Sequence, residues 1–299
     1  MNCILLLVSL AMGVGKNIIS KAGGAAFSRT DMLLKNNIAA SAAALAFAVA
    51  AVVTGAGNID FKLMLNFPLF AISLLLGIFI MLSQMFYIYA LKNEKVSVCS
   101  LIYSCGFIIP TISGAALYHE SVSVPDVIGI ISVLFSVYLT AGIKGIKLSR
   151  SLYPAVSAMI SSGMVGVLQK IYAHKFYDKT NEGLFIAFSA MLIISLLLLT
   201  LLYVREKSFA KRKHKPAYEK ANTKTVCLMT LFAVCVAGTN KLNLILSGSL
   251  PSVIFFPVIN GGCIAATAIT GMLVFKEKLS GKQICGIILN ICSIILISM

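Results

Sequence analysis

The second half of this chain repeats the first with the same punctuation. Tyr118-His-Glu120-Ser-Val-Ser123-Val-Pro-Asp126-Val-Ile-Gly129-Ile is answered 157 residues later by Phe275-Lys-Glu277-Lys-Leu-Ser280-Gly-Lys-Gln283-Ile-Cys-Gly286-Ile. Upstream, Gly114 falls on Gly271 at the same offset, inside an apolar run on both sides. A half-length duplication in an apolar chain is the pattern of carriers built from two related halves.

Composition decides the solvent. Of 299 residues, 59% are hydrophobic and 12% charged, with a mean hydropathy of +0.96. Soluble domains carry about a quarter charged residues, and a soluble core cannot hide this much apolar surface. The apolar segments are about 20 residues long, the length that crosses hydrocarbon as a helix. The expectation is an all-α polytopic membrane protein with ten transmembrane helices.

The predicted spans are 2–22, 36–55, 66–91, 97–117, 125–143, 152–174, 183–204, 225–248, 253–274 and 281–298. They form two inverted five-helix repeats, 1–146 and 151–299, parted by Lys144, Lys147 and Arg150. Residues 205–224 are read as one long polar loop. The N-terminal run lacks a positive leader region and a small-residue cleavage site, so it is expected to be the first span. Cys3, Cys99, Cys105, Cys227, Cys235, Cys263, Cys285 and Cys292 lie in apolar segments without a CxxC pair. They read as packing residues, with no metal, cofactor or disulfide framework implied.

Charge sets the orientation. Loops after odd-numbered spans hold about twenty Lys and Arg, loops after even-numbered spans about four, and basic loops stay cytoplasmic. At matched positions, His119, Ser121 and Pro125 face Lys276, Lys278 and Lys282. This predicts a cytoplasmic 205–224 loop and both termini outside. The net charge of +15 fits anionic lipid headgroups; no aromatic-interleaved basic surface points to nucleic acid.

Glu120 and Glu277 each close a span, and Ser123 or Ser280 follows three residues on. Asp126 and Gln283, three further, complete capping boxes, so the glutamates are read as hairpin residues, with substrate or proton handling as the alternative. Two five-span halves, each with Glu-x-Leu/Val-Ser before an apolar span containing glycine, resemble the drug/metabolite transporter superfamily, EamA type. The spacing from Gly163 to Lys170 is similar to the family's, while the customary Trp is absent and Met12 and Ser162 stand in its place. The resemblance implies alternating access through a central cavity lined by spans 1, 3, 4, 6, 8 and 9. It implies no particular substrate.

Polar groups inside a membrane are expensive and therefore candidates for function. Lys241 is the one formal charge between Lys224 and Lys276; the reading places it in the cavity, against the alternative of snorkelling. At the 157 offset Asn240 and Lys241 fall on Ser83 and Gln84, and Asn260 falls on Tyr103; Tyr87 lies one turn from Ser83. The candidate binding residues are Gln84, Tyr87, Tyr103, Asn240, Lys241 and Asn260, with Lys16 and Asn17 as further residues that could reach the cavity. No span carries a central Asp or Glu, which disfavours coupling through a membrane carboxylate. Pro110 and Pro257 are expected to kink spans 4 and 9 or free carbonyls there.

The sequence thus predicts an inner-membrane, multi-pass carrier of a small organic metabolite such as an amino acid or carboxylate, without enzymatic activity. A lipid-linked sugar or nucleotide-sugar carrier is the alternative; a membrane-embedded enzyme or a scaffold is more remote. Its partners are the solute and membrane lipids, and the sequence is silent on oligomeric state. The topology is checked by labelling engineered cysteines from outside intact cells. The C-terminus is expected to label and the 205–224 loop to stay protected; the reverse pattern contradicts the assignment.

Overall fold

The computed structural model describes residues 2–27, 30–54, 59–93, 102–140, 153–213, 223–276 and 280–298. These form ten long helices. The first half comprises α1 (Asn2–Phe27), α2 (Thr30–Val53), α3 (Phe67–Asn93), α4 (Ile102–Tyr118, with a 3-10 turn at Cys105–Phe107) and α5 (Val124–Thr140). The second comprises α6 (Tyr153–Lys175), α7 (Thr180–Lys213), α8 (Thr223–Ser249), α9 (Ser252–Phe275) and α10 (Gly281–Ser298). By length and apolarity, six of them qualify alone as membrane spans, while α4, α5 and α10 are shorter apolar helices. Large apolar side chains such as Ile4, Val53, Phe135, Leu201 and Leu273 point outward, as a lipid-facing surface requires.

One expectation needs correction. The stretch after residue 204 is not loop from its start: α7 continues through Lys213. Arg, Glu, Lys and Ala dominate residues 205–213, all good helix formers, and the next helix breaker is Pro216. At 1.5 Å per residue, α7 is roughly 50 Å long and must project beyond the hydrocarbon.

The duplication is written into the backbone. His119 and Lys276 are the non-glycine residues with positive φ among those described, at 51° and 53°, and they lie 157 residues apart. Each is the left-handed residue that ends a helix, α4 or α9. Both capping boxes form. The Ser123 amide donates to Asp126 Oδ2 at 2.8 Å and the Asp126 amide to Ser123 Oγ at 3.3 Å. In the second half, the Ser280 amide donates to Gln283 Oε1 at 2.9 Å and the Gln283 amide to Ser280 Oγ at 3.4 Å. Glu277 lies outside the described residues.

The halves interlock. The packing of α1 on α8 has its counterpart in α6 on α3, and α3 on α7 in α8 on α2; α2–α7, α4–α9 and α5–α10 pair like with like. Swapping the halves leaves this pattern unchanged, as a pseudo-two-fold relation requires, and five helices per half make the repeat inverted. Ser136 and Asn290, bonded at 2.9 Å, mark the crossing of α5 with α10. Elsewhere missing side chains let helices touch. A Cβ on Gly77 would lie 2.1 Å from the Ala187 carbonyl oxygen where α3 meets α7, and one on Gly163 would lie 2.5 Å from Ile109 Cδ1 where α6 meets α4.

The links between α2 and α3, α4 and α5, α6 and α7, and α8 and α9 share one face, here the Glu120 face. The Asp60 amide donates to Glu182 at 3.2 Å, the Ser252 amide to Glu120 at 2.7 Å, and the hydroxyls of Tyr177 and Ser249 lie 3.1 Å apart. The C-terminal ends of α1, α3, α5, α7 and α9 point to the opposite, basic face.

Gly77→Ala is expected to destabilise the protein, because overpacking against a backbone carbonyl outweighs the gain in helix propensity. The net loss should be about 1–2 kcal/mol, read as a lower thermal midpoint in detergent. An unchanged midpoint would mean that α3 and α7 are further apart than described.

Candidate functional site

A cavity of ≈ 170 Å³ lies between the halves, room for on the order of ten waters. Its walls come from α1, α3, α4, α6, α8 and α9, the helices implied by the family resemblance. Each wall is a helical stripe: Ile80, Ser83, Gln84 and Tyr87 on α3; Ser162, Val165, Gly166 and Gln169 on α6; Val236, Thr239, Asn240 and Asn243 on α8; Phe256, Ile259, Asn260 and Cys263 on α9. The steps of three, four and seven residues put each set on one face.

Five of the six expected binding residues line this cavity: Gln84, Tyr87, Tyr103, Asn240 and Asn260. Tyr87 and Tyr103 pack with ring centroids 4.7 Å apart at 47°, joining α3 to α4. The related helices α8 and α9 hold their asparagines in the same way. Asn240 Nδ2 donates to the Val236 carbonyl and Asn260 Nδ2 to the Phe256 carbonyl, each four residues back and at 2.9 Å. On α3, Gln84 Oε1 is buried without a hydrogen-bond partner, so a donor entering the cavity would satisfy it.

Lys241 is not in the cavity. It lines a separate pocket of ≈ 20 Å³ with Ala44, Phe47 and Ala48 of α2, Asn181, Leu184 and Phe188 of α7, and Ala237. The reason is helical periodicity: Val236, Thr239, Asn240 and Asn243 form one stripe of α8, and at about 100° per residue Lys241 falls on the other side of the helix, toward α2 and α7. Asn181, in the first turn of α7 on the Glu120 face, is the other polar residue of this pocket.

The charge in the cavity belongs to Lys16 instead, beside Asn17. The apolar span of α1 runs past Lys16 to Ser20, and the helix continues to Phe27. Asn17 Nδ2 donates to Thr267 Oγ1 on α9 at 3.2 Å, and Ser9 Oγ to Asn243 Oδ1 on α8 at 2.6 Å. Together these bonds fix the face that α1 presents. Gln169, Thr239 and Asn243 also line the cavity and were not singled out in the sequence. Gln169 Nε2 lies 3.4 Å from Asn240 Oδ1, joining α6 to α8 across the cavity wall. Of the two prolines, Pro110 follows the 3-10 turn at Cys105–Phe107 and lines the cavity, and Pro257 lies inside α9.

Glu120 does more than close its own hairpin. Its carboxylate accepts from the Ser252 amide and lies 2.8 Å from Lys170 Nζ, so it ties α4 to α6 and α9 of the other half.

Because Lys241 stands outside the cavity, Lys241→Met should raise the yield of folded protein in the membrane. A mid-span lysine costs about 3 kcal/mol on insertion scales. Yield and thermal midpoint measure this, and a fall in both would show that Lys241 holds the α2–α7–α8 packing together.

No curated protein sequence matches the chain. A solved structure titled only "Crystal structure of protein" superposes with a TM-score of 0.76 over 99% of this chain and 97% of its own, at 12% identity. Identity that low speaks for the fold alone. The sequence itself matches the EamA-like transporter family twice, over residues 1–142 and 151–299. Nearly the whole length is thus accounted for by two copies of one unit, and the chain belongs to the EamA-like transporter family.

Proposed function

We propose that this protein carries a small organic metabolite with an anionic group, an amino acid or a carboxylate, across the inner membrane by alternating access, without enzymatic activity. One observation supports the substrate class above the others. Lys16 is the one formal charge among the described residues of the cavity wall, and no carboxylate accompanies it there. A solute carboxylate would supply the missing counter-charge. Six amides surround the same space, on Asn17, Gln84, Gln169, Asn240, Asn243 and Asn260, and can hold hydroxyl, amino or carbonyl groups. The unpartnered Gln84 Oε1 favours a solute that also donates, as an amino acid does.

A lipid-linked sugar or nucleotide-sugar carrier of the same superfamily remains the second reading. Phosphate-bearing solutes carry more negative charge than a single lysine neutralises, and with Lys241 outside the cavity the balance moves toward the smaller solute.

The test is thermal-shift screening of purified protein against anionic, zwitterionic and cationic metabolites. At a hundredfold excess over Kd, a bound ligand adds about 2.7 kcal/mol of stability. The shift should be given by an anionic or zwitterionic solute, be lost in Lys16→Met, and be reduced in Lys16→Arg, whose flat guanidinium presents its donors differently. A full shift in Lys16→Met, or a shift from cations alone, contradicts the proposal.

A further inference from the structure

The cavity ends on the Glu120 face in a charged cluster that the binding site does not use. Beside the cavity-lining Gln169 and one turn beyond Asn243, the interior is closed: Ser247 and Ser252 have no exposed surface, and the side chain of Lys170 is 10% exposed. Lys170 Nζ lies 2.8 Å from Glu120 Oε1 and donates to the Leu250 carbonyl at 3.0 Å. Glu120 accepts from the Ser252 amide at 2.7 Å and from the Ser252 hydroxyl at 3.3 Å.

The signs of these charges match the helix ends they meet. Lys170 sits at the carbonyl end of α8, where the helix dipole is negative, and Glu120 at the amide end of α9, where it is positive. The α8–α9 turn is therefore held from both sides at once, by α6 of its own half and by the end of α4 from the other. Gly114 allows the approach, because a Cβ there would lie 2.1 Å from Ser252 Oγ. The Tyr118 ring covers Lys170 with its centroid 5.9 Å from Nζ, and stacks on His174 at 4.4 Å.

We propose that the Glu120–Lys170–Ser252 cluster is the latch that shuts the cavity on the Glu120 face, and that it parts when the cavity opens to that face. A buried ion pair suits this role. Closed, each charge has its partner and a helix end; open, at the membrane surface, both take up water, so each state satisfies the charges and half-open states do not. Gln169 connects latch to cavity. It is the residue before Lys170, and its carbonyl accepts from Ser247 Oγ at 3.3 Å.

The proposal builds on the transport reading, but its test needs no substrate. Cys263 lines the cavity and serves as reporter after the other cysteines are replaced. The probe is the membrane-impermeant anion 2-sulfonatoethyl methanethiosulfonate, applied from either face of oriented membrane vesicles. In the parent, Cys263 should label slowly from the Glu120 face. Glu120→Gln, which keeps an oxygen for the Ser252 amide, and Lys170→Gln should each speed that labelling at least tenfold without speeding it from the basic face. Lys170→Arg, which keeps the charge, should stay slow. If Lys170→Gln does not fold, Glu120→Gln decides alone. Unchanged labelling from the Glu120 face in folded Glu120→Gln overturns the latch, and so does equally fast labelling in the parent. A failure to find any ligand would count against the transport reading and leave the labelling result standing.

Discussion

In hydrocarbon every backbone amide and carbonyl must find its partner within the protein, and the rest of the architecture follows from that requirement. It makes each span a helix. It also removes the hydrophobic drive between helices, so their association depends on shape and on a few polar contacts. That is why Gly77, Gly106, Gly163 and Gly166 lie at crossings where a Cβ would strike a neighbour. It also explains why α1 is fixed by Ser9 to Asn243 and by Asn17 to Thr267 rather than by apolar burial alone.

Irregular backbone occurs where the repeat repeats it. His119 and Lys276 accept a left-handed conformation that costs a non-glycine residue roughly 1–2 kcal/mol, and each is followed by a capping box that satisfies the next helix. The cost is offset by a reliable reversal of the chain at the same point in both halves. In the first half that reversal also delivers Glu120 to the amide end of α9. A hairpin element thus becomes a contact between halves, and a structural role and a role in closure are compatible for the same carboxylate.

Much of this was legible in the residues. The 157-residue offset led to the inverted repeat, and Ser123 with Asp126 and Ser280 with Gln283 led to the caps, because capping is local chemistry. The limits of α7 were missed because a charged segment is read as loop although its residues favour helix. Lys241 was placed in the cavity from its cost and from its match to Gln84 at the 157 offset, whereas the stripe Val236, Thr239, Asn240 and Asn243 leaves it on the other side of α8. Extending the stripe from Ser162, Val165 and Gly166 by one step would have found Gln169, and the stripe through Val236 and Asn240 would have found Asn243. The pairing of Glu120 with Lys170 was out of reach, since nothing in either segment encodes which helices of the two halves meet.

The central claim is a carrier whose cavity, among its described residues, offers the single positive charge of Lys16 to an anionic solute. Counterflow in proteoliposomes tests it most directly. Vesicles loaded with an unlabelled amino or carboxylic acid are diluted into a trace of the labelled compound, and the transient accumulation is followed. The account predicts saturable accumulation for at least one anionic or zwitterionic metabolite, absent from protein-free vesicles. Saturable counterflow confined to cationic solutes, with none for any anion or zwitterion, would contradict it.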